Sequence, residues 1–134
     1  MIFLDTSYLV ALEIDSDSNH EAAVKIRDRI IGGEFGNSFI SDYIFDETMT
    51  VNFARTKNLE KTARIGHDLR NSSILIKLEE SDFEESWQLF KNQEGTKLSF
   101  TDCSNLAIMK RMSIKNMATF DGDFKKIKEV KVVS

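Results

Sequence analysis

Two kinds of hydrophobic pattern alternate along the chain. Short apolar runs, typical of buried strands, are separated by longer stretches in which apolar residues recur every three or four positions, which is typical of helices. The runs predict strands at residues 1–5, 38–41, 72–78, 116–121 and 129–134. The periodic stretches predict helices at residues 6–15, 21–31, 42–55, 58–70, 81–92 and 99–111.

Two of the predicted helices carry large apolar side chains at helical spacing. Phe45, Met49 and Phe53 recur at every fourth residue in the helix over 42–55. In the helix over 81–92, Phe83, Trp87 and Phe90 are predicted to form the buried face. The chain contains no proline, so we expect its breaks at glycine, asparagine, aspartate and serine.

Strands that alternate with helices predict an α/β fold. We expect a three-layer α/β/α sandwich with a mostly parallel sheet of about five strands. The 134 residues suit one domain, residues 1–134. In such a sheet, ligands bind beyond the carboxyl ends of the strands, at the point where the strand order reverses.

Composition and charge argue against several classes of protein for this chain. No apolar run approaches the ~20 residues of a membrane span, and the N-terminus lacks the basic region of a signal peptide. A single cysteine forms no internal disulfide, so we expect a reducing, cytoplasmic compartment. The net charge of −4 argues against broad electrostatic binding to nucleic acid, although it says nothing about local arrangement.

Four acidic residues occupy positions where such a fold places chemistry. Asp5 and Asp121 end predicted strands, Asp102 opens a helix, and Glu47 borders apolar positions within one. Each also has a plain structural interpretation. Asp5 could cap a helix, and Asp102 could be the acid of a capping box with Ser99. Asp121 could be a turn residue, and Glu47 a surface charge. Converging carboxylates would repel one another unless a cation joined them, and oxygen ligands favour Mg²⁺ or Mn²⁺.

The other candidates for chemistry are weaker. Cys103 follows Asp102 directly, but neighbours along a helix do not face each other, and no histidine is near in sequence. We therefore expect Cys103 to be a small buried residue. An aspartyl nucleophile at Asp5 would place the chain among phosphate-handling enzymes of the haloacid-dehalogenase or receiver type. In those enzymes the second acid is expected two residues on, where this chain has Ser7.

Four segments together resemble the PIN-domain ribonucleases, and especially the VapC-type toxins of toxin–antitoxin pairs. These are "MIFLDTSYLVAL", "SDYIFDETM", "SFTDCSNLAIMKR" and "MATFDGDFKKI", in the order that the family has them. The resemblance implies that the metal-binding and catalytic acids are Asp5, Glu47, Asp102 and Asp121. It implies supporting roles for Thr6, or less readily Ser7, and for Thr101 and Asp123.

The resemblance also carries expectations about activity and partners. It implies an endoribonuclease that uses Mg²⁺ or Mn²⁺ to hydrolyse RNA phosphodiesters and leaves 5′-phosphate ends. It further implies a cognate antitoxin that lays a segment along a groove near the acids, a homodimer, and neighbouring first and fourth strands. A non-catalytic PIN-like module that binds RNA or protein stays open as an alternative.

Overall fold

The centre of the molecule is a five-stranded sheet in which every neighbouring pair of strands is parallel. A computed structural model describes all 134 residues. The strands are β1 (Ile2–Leu4), β2 (Ser38–Ser41), β3 (Ile74–Ile76), β4 (Asn116–Ala118) and β5 (Lys131–Val133). Their order across the sheet is β3-β2-β1-β4-β5, so the direction of chain progression reverses between β1 and β4. The predicted neighbourhood of the first and fourth strands is therefore confirmed.

Six α-helices and one short 3₁₀ helix connect the strands. The α-helices are α1 (Thr6–Glu13), α2 (His20–Ile31), α3 (Asp42–Thr56), α4 (Leu59–Ser72), α5 (Glu80–Asn92) and α6 (Phe100–Arg111). The 3₁₀ helix spans Gly122–Lys126 and follows β4. The α/β class, the five strands and the six helices agree with the sequence prediction. None of the helices combines the length and the hydrophobicity that a membrane span requires.

The core lies on the central strands and the helix faces that cover them. It contains 22 buried residues, among them Phe3, Ile40, Ile108 and Met117, each without solvent exposure. Burying one such side chain contributes roughly 1.5–3 kcal/mol. Because β1 is buried along its whole length, the backbone at its carboxyl end is held firmly, and Asp5 follows immediately.

The predicted buried face of α5 is wrong. Phe83, Trp87 and Phe90 are 46%, 46% and 38% exposed. The inward-facing stripe is shifted by one residue and consists of the buried Asp82 and Ser86 and the partly buried Leu89.

An ion pair explains this shift of the α5 face. Both carboxylate oxygens of Asp82 accept hydrogen bonds of 2.8 Å from the Arg111 guanidinium on α6. This bidentate pair lets Asp82 face the neighbouring helix although it is charged. The aromatic rings turn outward, where Phe83 and Phe90 contact Phe100 at the start of α6, with centroids 5.3 and 6.1 Å from its ring.

Candidate active site

The carboxyl ends of β1 and β4 open onto a cavity of about 440 Å³ that is lined mainly by polar residues. All four acids that the sequence singled out line it: Asp5, Glu47, Asp102 and Asp121. Each comes from a different part of the chain: the end of β1, the middle of α3, the first turn of α6 and the segment after β4. The cavity lies at the switch point of the strand order, where open α/β sheets bind ligands.

Asp5 is the most enclosed of these acids. It is 4% exposed, and its backbone N–H donates to the carbonyl of Ala118 across the switch point. Its Oδ2 accepts hydrogen bonds from Ser7 Oγ at 2.7 Å and Thr119 Oγ1 at 2.8 Å, and its Oδ1 accepts one from Asn105 Nδ2 at 3.3 Å. Burial raises the pKa of Asp5 above its ordinary value, and the bonds from Ser7 and Thr119 oppose that rise.

Ser7, rather than Thr6, is the hydroxyl that supports Asp5. Besides its bond to Asp5, Ser7 Oγ accepts the backbone N–H of Phe120 at 3.0 Å, which ties the end of β1 to the segment after β4. Thr6 also lines the cavity, but its Oγ1 is buried without a hydrogen-bond partner. The sequence ranked these two residues the other way round, because adjacency to the acid does not reveal which hydroxyl faces it.

Asp102 combines a helix-capping role with a place in the cavity. Its backbone N–H donates to Ser99 Oγ at 3.0 Å, and its Oδ2 accepts from the Ser99 backbone N–H at 2.9 Å, which completes a capping box. Burial, together with the negative charges of Asp5 and Asp121, raises the pKa of Asp102 to about 6. Asp102 therefore lies close enough to Asp5 and Asp121 to feel their negative charges.

Asp121 and Asp123 have different surroundings. Asp121 lines the cavity, and its Oδ1 accepts the backbone N–H of Asp123 at 2.9 Å, which starts the 3₁₀ helix. Asp123 does not line the cavity. Its carboxylate accepts the backbone N–H of Lys97 at 2.9 Å and pairs with Lys126 at 2.8 Å, which lowers the pKa of Asp123. Asp123 therefore holds two loops together and stands apart from the four acids.

Glu47 also borders a second, adjoining depression. That depression is lined by Thr101 as well as by Tyr43 and Asp46, and it extends the polar surface beside the cavity. Asp46 is exposed, as expected for a surface charge.

Several residues at the site were not foreseen from the sequence. Asn105 and Thr119 hold Asp5, and Asp17 and Arg55 line the cavity. The sequence did contain a signal for Asn105, which is one helical turn after Asp102. Asp17 comes from an irregular loop, so no periodic pattern placed it.

Cys103 takes no part in the cavity. It is fully buried, and burial raises the pKa of its thiol to about 11. A thiolate nucleophile is therefore disfavoured, and the prediction of a small buried residue is confirmed.

The chemistry of the cavity fits a hydrated divalent cation better than an enclosed one. No three histidine, cysteine, aspartate or glutamate side chains approach closely enough to cage an ion. Mg²⁺ usually keeps several waters and binds through one or two carboxylates together with substrate phosphates, so it does not need such a cage. The four acids offer only oxygen ligands. Thr6, whose hydroxyl has no hydrogen-bond partner, lines the same cavity.

Comparison with known proteins agrees with this geometry. The sequence matches the PIN domain family over residues 2–130. It is 29% identical over 128 residues, 92% of each chain, to the 23S rRNA-specific endonuclease VapC20 of Mycobacterium tuberculosis. The crystal structure of M. tuberculosis VapC20, described as a sarcin–ricin loop cleaving toxin, superposes with a TM-score of 0.84 and 25% identity over the full length of both chains.

More distant structures share the fold. A toxin–antitoxin complex from Klebsiella pneumoniae contains a chain with a TM-score of 0.70 and 20% identity, covering 100% of this chain and 97% of the other. FitAcB from Neisseria gonorrhoeae gives a TM-score of 0.69 at 21% identity, with the same coverage. The chain belongs to the PIN domain family, as its four sequence segments suggested. This membership sets aside the haloacid-dehalogenase and receiver classes.

Proposed function

We propose that this PIN-domain chain is a metal-dependent endoribonuclease and the toxin of a toxin–antitoxin pair. The observation that carries the proposal is the convergence of Asp5, Glu47, Asp102 and Asp121 on one cavity at the switch point. The similarity of this chain to the endonuclease VapC20, which extends over 92% of both chains, supports endonuclease activity in particular. A purely structural PIN module would need none of these four acids.

The proposed cofactor is Mg²⁺, with Mn²⁺ as a substitute. Asp5 and Asp121 would hold it directly, while Glu47 and Asp102 would hold bound waters or a second ion. When bound, such an ion lowers the pKa of a water molecule and offsets charge on the phosphoryl oxygens.

The protein's own contribution is to keep the acids in place, with hydrogen bonds that oppose part of the rise in pKa caused by burial. Hydrogen bonds from Ser7, Thr119 and Asn105 fix both oxygens of Asp5. The capping box fixes Asp102 at the start of α6, where the helix dipole favours negative charge. In the proposed reaction a water oxygen bonds to phosphorus and the bond from phosphorus to the 3′ oxygen breaks, which leaves a 5′-phosphate and a 3′-hydroxyl.

The proposed partners are an RNA substrate, a cognate antitoxin and a second copy of the chain. RNA is proposed because VapC20 acts on 23S rRNA. The antitoxin is proposed because related folds occur in toxin–antitoxin complexes, and the homodimer follows from the family resemblance alone. We propose the cytoplasm as the compartment, because an endoribonuclease acting on cellular RNA has to reach it there.

Expression in bacterial cells tests this proposal. Induction of the wild-type chain should arrest growth and create new RNA 5′-phosphate ends at defined positions, which end sequencing detects. Asp121→Asn should do neither, because an amide binds Mg²⁺ poorly. Asp46→Asn, a change to an exposed acid of α3 outside the cavity, should behave as wild type. New ends of equal number with wild type and Asp121→Asn, or none with either, would contradict the proposal.

A further inference from the structure

The cavity contains one positively charged side chain, that of Arg55, among its acidic residues. Five carboxylates line it, and Arg55 is the single basic residue on its wall. The five acids are Asp5, Asp17, Glu47, Asp102 and Asp121. An RNA strand that enters this cavity brings further negative charge. A metal ion offsets charge at the acids themselves, so the phosphates on either side of the cleaved one need another cation.

Arg55 lies on the same face of α3 as Glu47. Glu47, Val51 and Arg55 are spaced by four residues, and all three line the cavity. Eight residues of α-helix span about 12 Å, so Arg55 lines the cavity about 12 Å along α3 from Glu47.

The guanidinium of Arg55 is not engaged in holding the fold. Its Nη1 is 3.9 Å from Asp17 Oδ2, which is beyond hydrogen-bonding distance, and its side chain is 56% exposed. By contrast, Arg111 makes two hydrogen bonds of 2.8 Å to Asp82, and Arg29 makes two to Glu34. Arg55 therefore keeps its donors available for a ligand.

We infer that Arg55 binds an RNA phosphate next to the one that is cleaved, and so positions the strand over the four acids. The inference rests on the proposed ribonuclease function. A guanidinium donates two parallel hydrogen bonds to a phosphate, which a lysine cannot reproduce. Asp17 acts as a resting partner that RNA displaces.

Steady-state cleavage of a short single-stranded RNA in Mg²⁺ tests the inference. Arg55→Ala should raise KM about tenfold, the loss expected for one exposed charged hydrogen-bonding contact, and leave kcat within about threefold. Arg55→Lys should fall between Arg55→Ala and wild type. Arg64→Ala is the matched control, because Arg64 is an exposed arginine on α4 outside the cavity, paired with Glu60 at 3.7 Å. This control should leave both constants unchanged.

Salt dependence separates phosphate binding from a structural role. RNA binding is measured by fluorescence anisotropy in an Asp121→Asn background, at several KCl concentrations. Loss of one phosphate contact should reduce the slope of log K against log salt by about 0.7. Asp17→Asn should bind RNA as tightly as the background protein or more tightly, because it removes a negative charge beside Arg55 that a phosphate would otherwise have to displace.

The outcomes distinguish this inference from the function on which it rests. If wild type cleaves RNA and Arg55→Ala matches it in KM and in salt slope, the role of Arg55 is wrong and the ribonuclease stands. If Arg55→Ala and Asp17→Asn lower the melting temperature equally and leave the slope alone, Arg55 serves the fold only. If RNA binds with an Arg55-dependent slope and wild type never cleaves it, the ribonuclease proposal fails and the phosphate contact stands.

Discussion

Replacing Asp102 by asparagine is predicted to stabilise the metal-free protein at neutral pH. Burial and the charges of Asp5 and Asp121 raise the pKa of Asp102 from 3.8 to about 6. Because the pKa is higher in the folded state, folding favours the protonated form. The free energy of unfolding therefore falls as pH rises from about 4 to about 6, and it stays low above that range. Asparagine has no charge to bury, so it avoids this loss.

The size of the effect follows from the same pKa. A rise from 3.8 to about 6 corresponds to about 3 kcal/mol, and we count about half because the carboxylate of Asp102 is partly exposed. Losing the attraction of the charge to the helix dipole removes about 0.5 kcal/mol. The net gain of about 1 kcal/mol should raise the melting temperature by about 3–5 °C.

Thermal unfolding in EDTA at pH 7.5 and at pH 4 measures this effect. At pH 7.5 the Asp102→Asn protein should melt above wild type. At pH 4 the gap should close, because Asp102 is then protonated in the folded protein and no longer carries a buried charge. If Asp102→Asn melts below wild type at pH 7.5, with the same pH dependence as wild type, Asp102 is only a helix cap and the carboxylates do not repel one another.

Three further predictions concern the metal and the neighbouring side chains. Millimolar Mn²⁺ should raise the melting temperature of wild type and of Asp46→Asn alike, since it relieves repulsion among the acids, and a melting curve indifferent to Mn²⁺ would count against the metal site. Cys103→Ala should keep RNA cleavage within about threefold, because the buried thiol takes no part, whereas complete loss in a folded variant would restore a role for it. Ser7→Ala should move the acid limb of the pH–cleavage profile to higher pH, because it removes a bond that lowers the pKa of Asp5. Thr6→Ala removes a hydroxyl without a partner and should leave the limb in place.

The elements of the fold were predictable where a strong local pattern existed. The strand at residues 38–41 and the helices α3 and α6 have nearly the predicted bounds, since a buried run and capped periodic stretches define them. The 3₁₀ helix after β4 was not predicted, because "DGDF" also suits a simple turn. The face of α5 was misjudged because the Asp82–Arg111 pair depends on a partner 29 residues away, which no periodicity within α5 reveals.

The residues of the site likewise fall into those that the sequence predicted and those that only the fold reveals. The proximity of Asp5 and Asp121 was predictable, because both follow parallel strands whose carboxyl ends meet at one edge of the sheet. Glu47 and Asp102 lie on helices, and it was the resemblance to the PIN-domain family that grouped them with the other two. The choice of Ser7 over Thr6 depends on which hydroxyl faces Asp5, and Asn105 reaches Asp5 across 100 residues. Arg55 lies two helical turns from Glu47 on α3, but the cavity that both line also includes Asp17, which comes from an irregular loop that no periodic pattern predicts.

Cleavage of RNA by the purified protein tests the central claim most directly. With Mg²⁺, wild type should cut RNA and leave 5′-phosphate ends, and EDTA should abolish the reaction. Asp5→Asn and Asp102→Asn should each be inactive, with circular dichroism spectra that match wild type. Cleavage by folded Asp102→Asn at the wild-type rate, or wild-type cleavage that persists in EDTA, would contradict a metal-dependent site built from these acids.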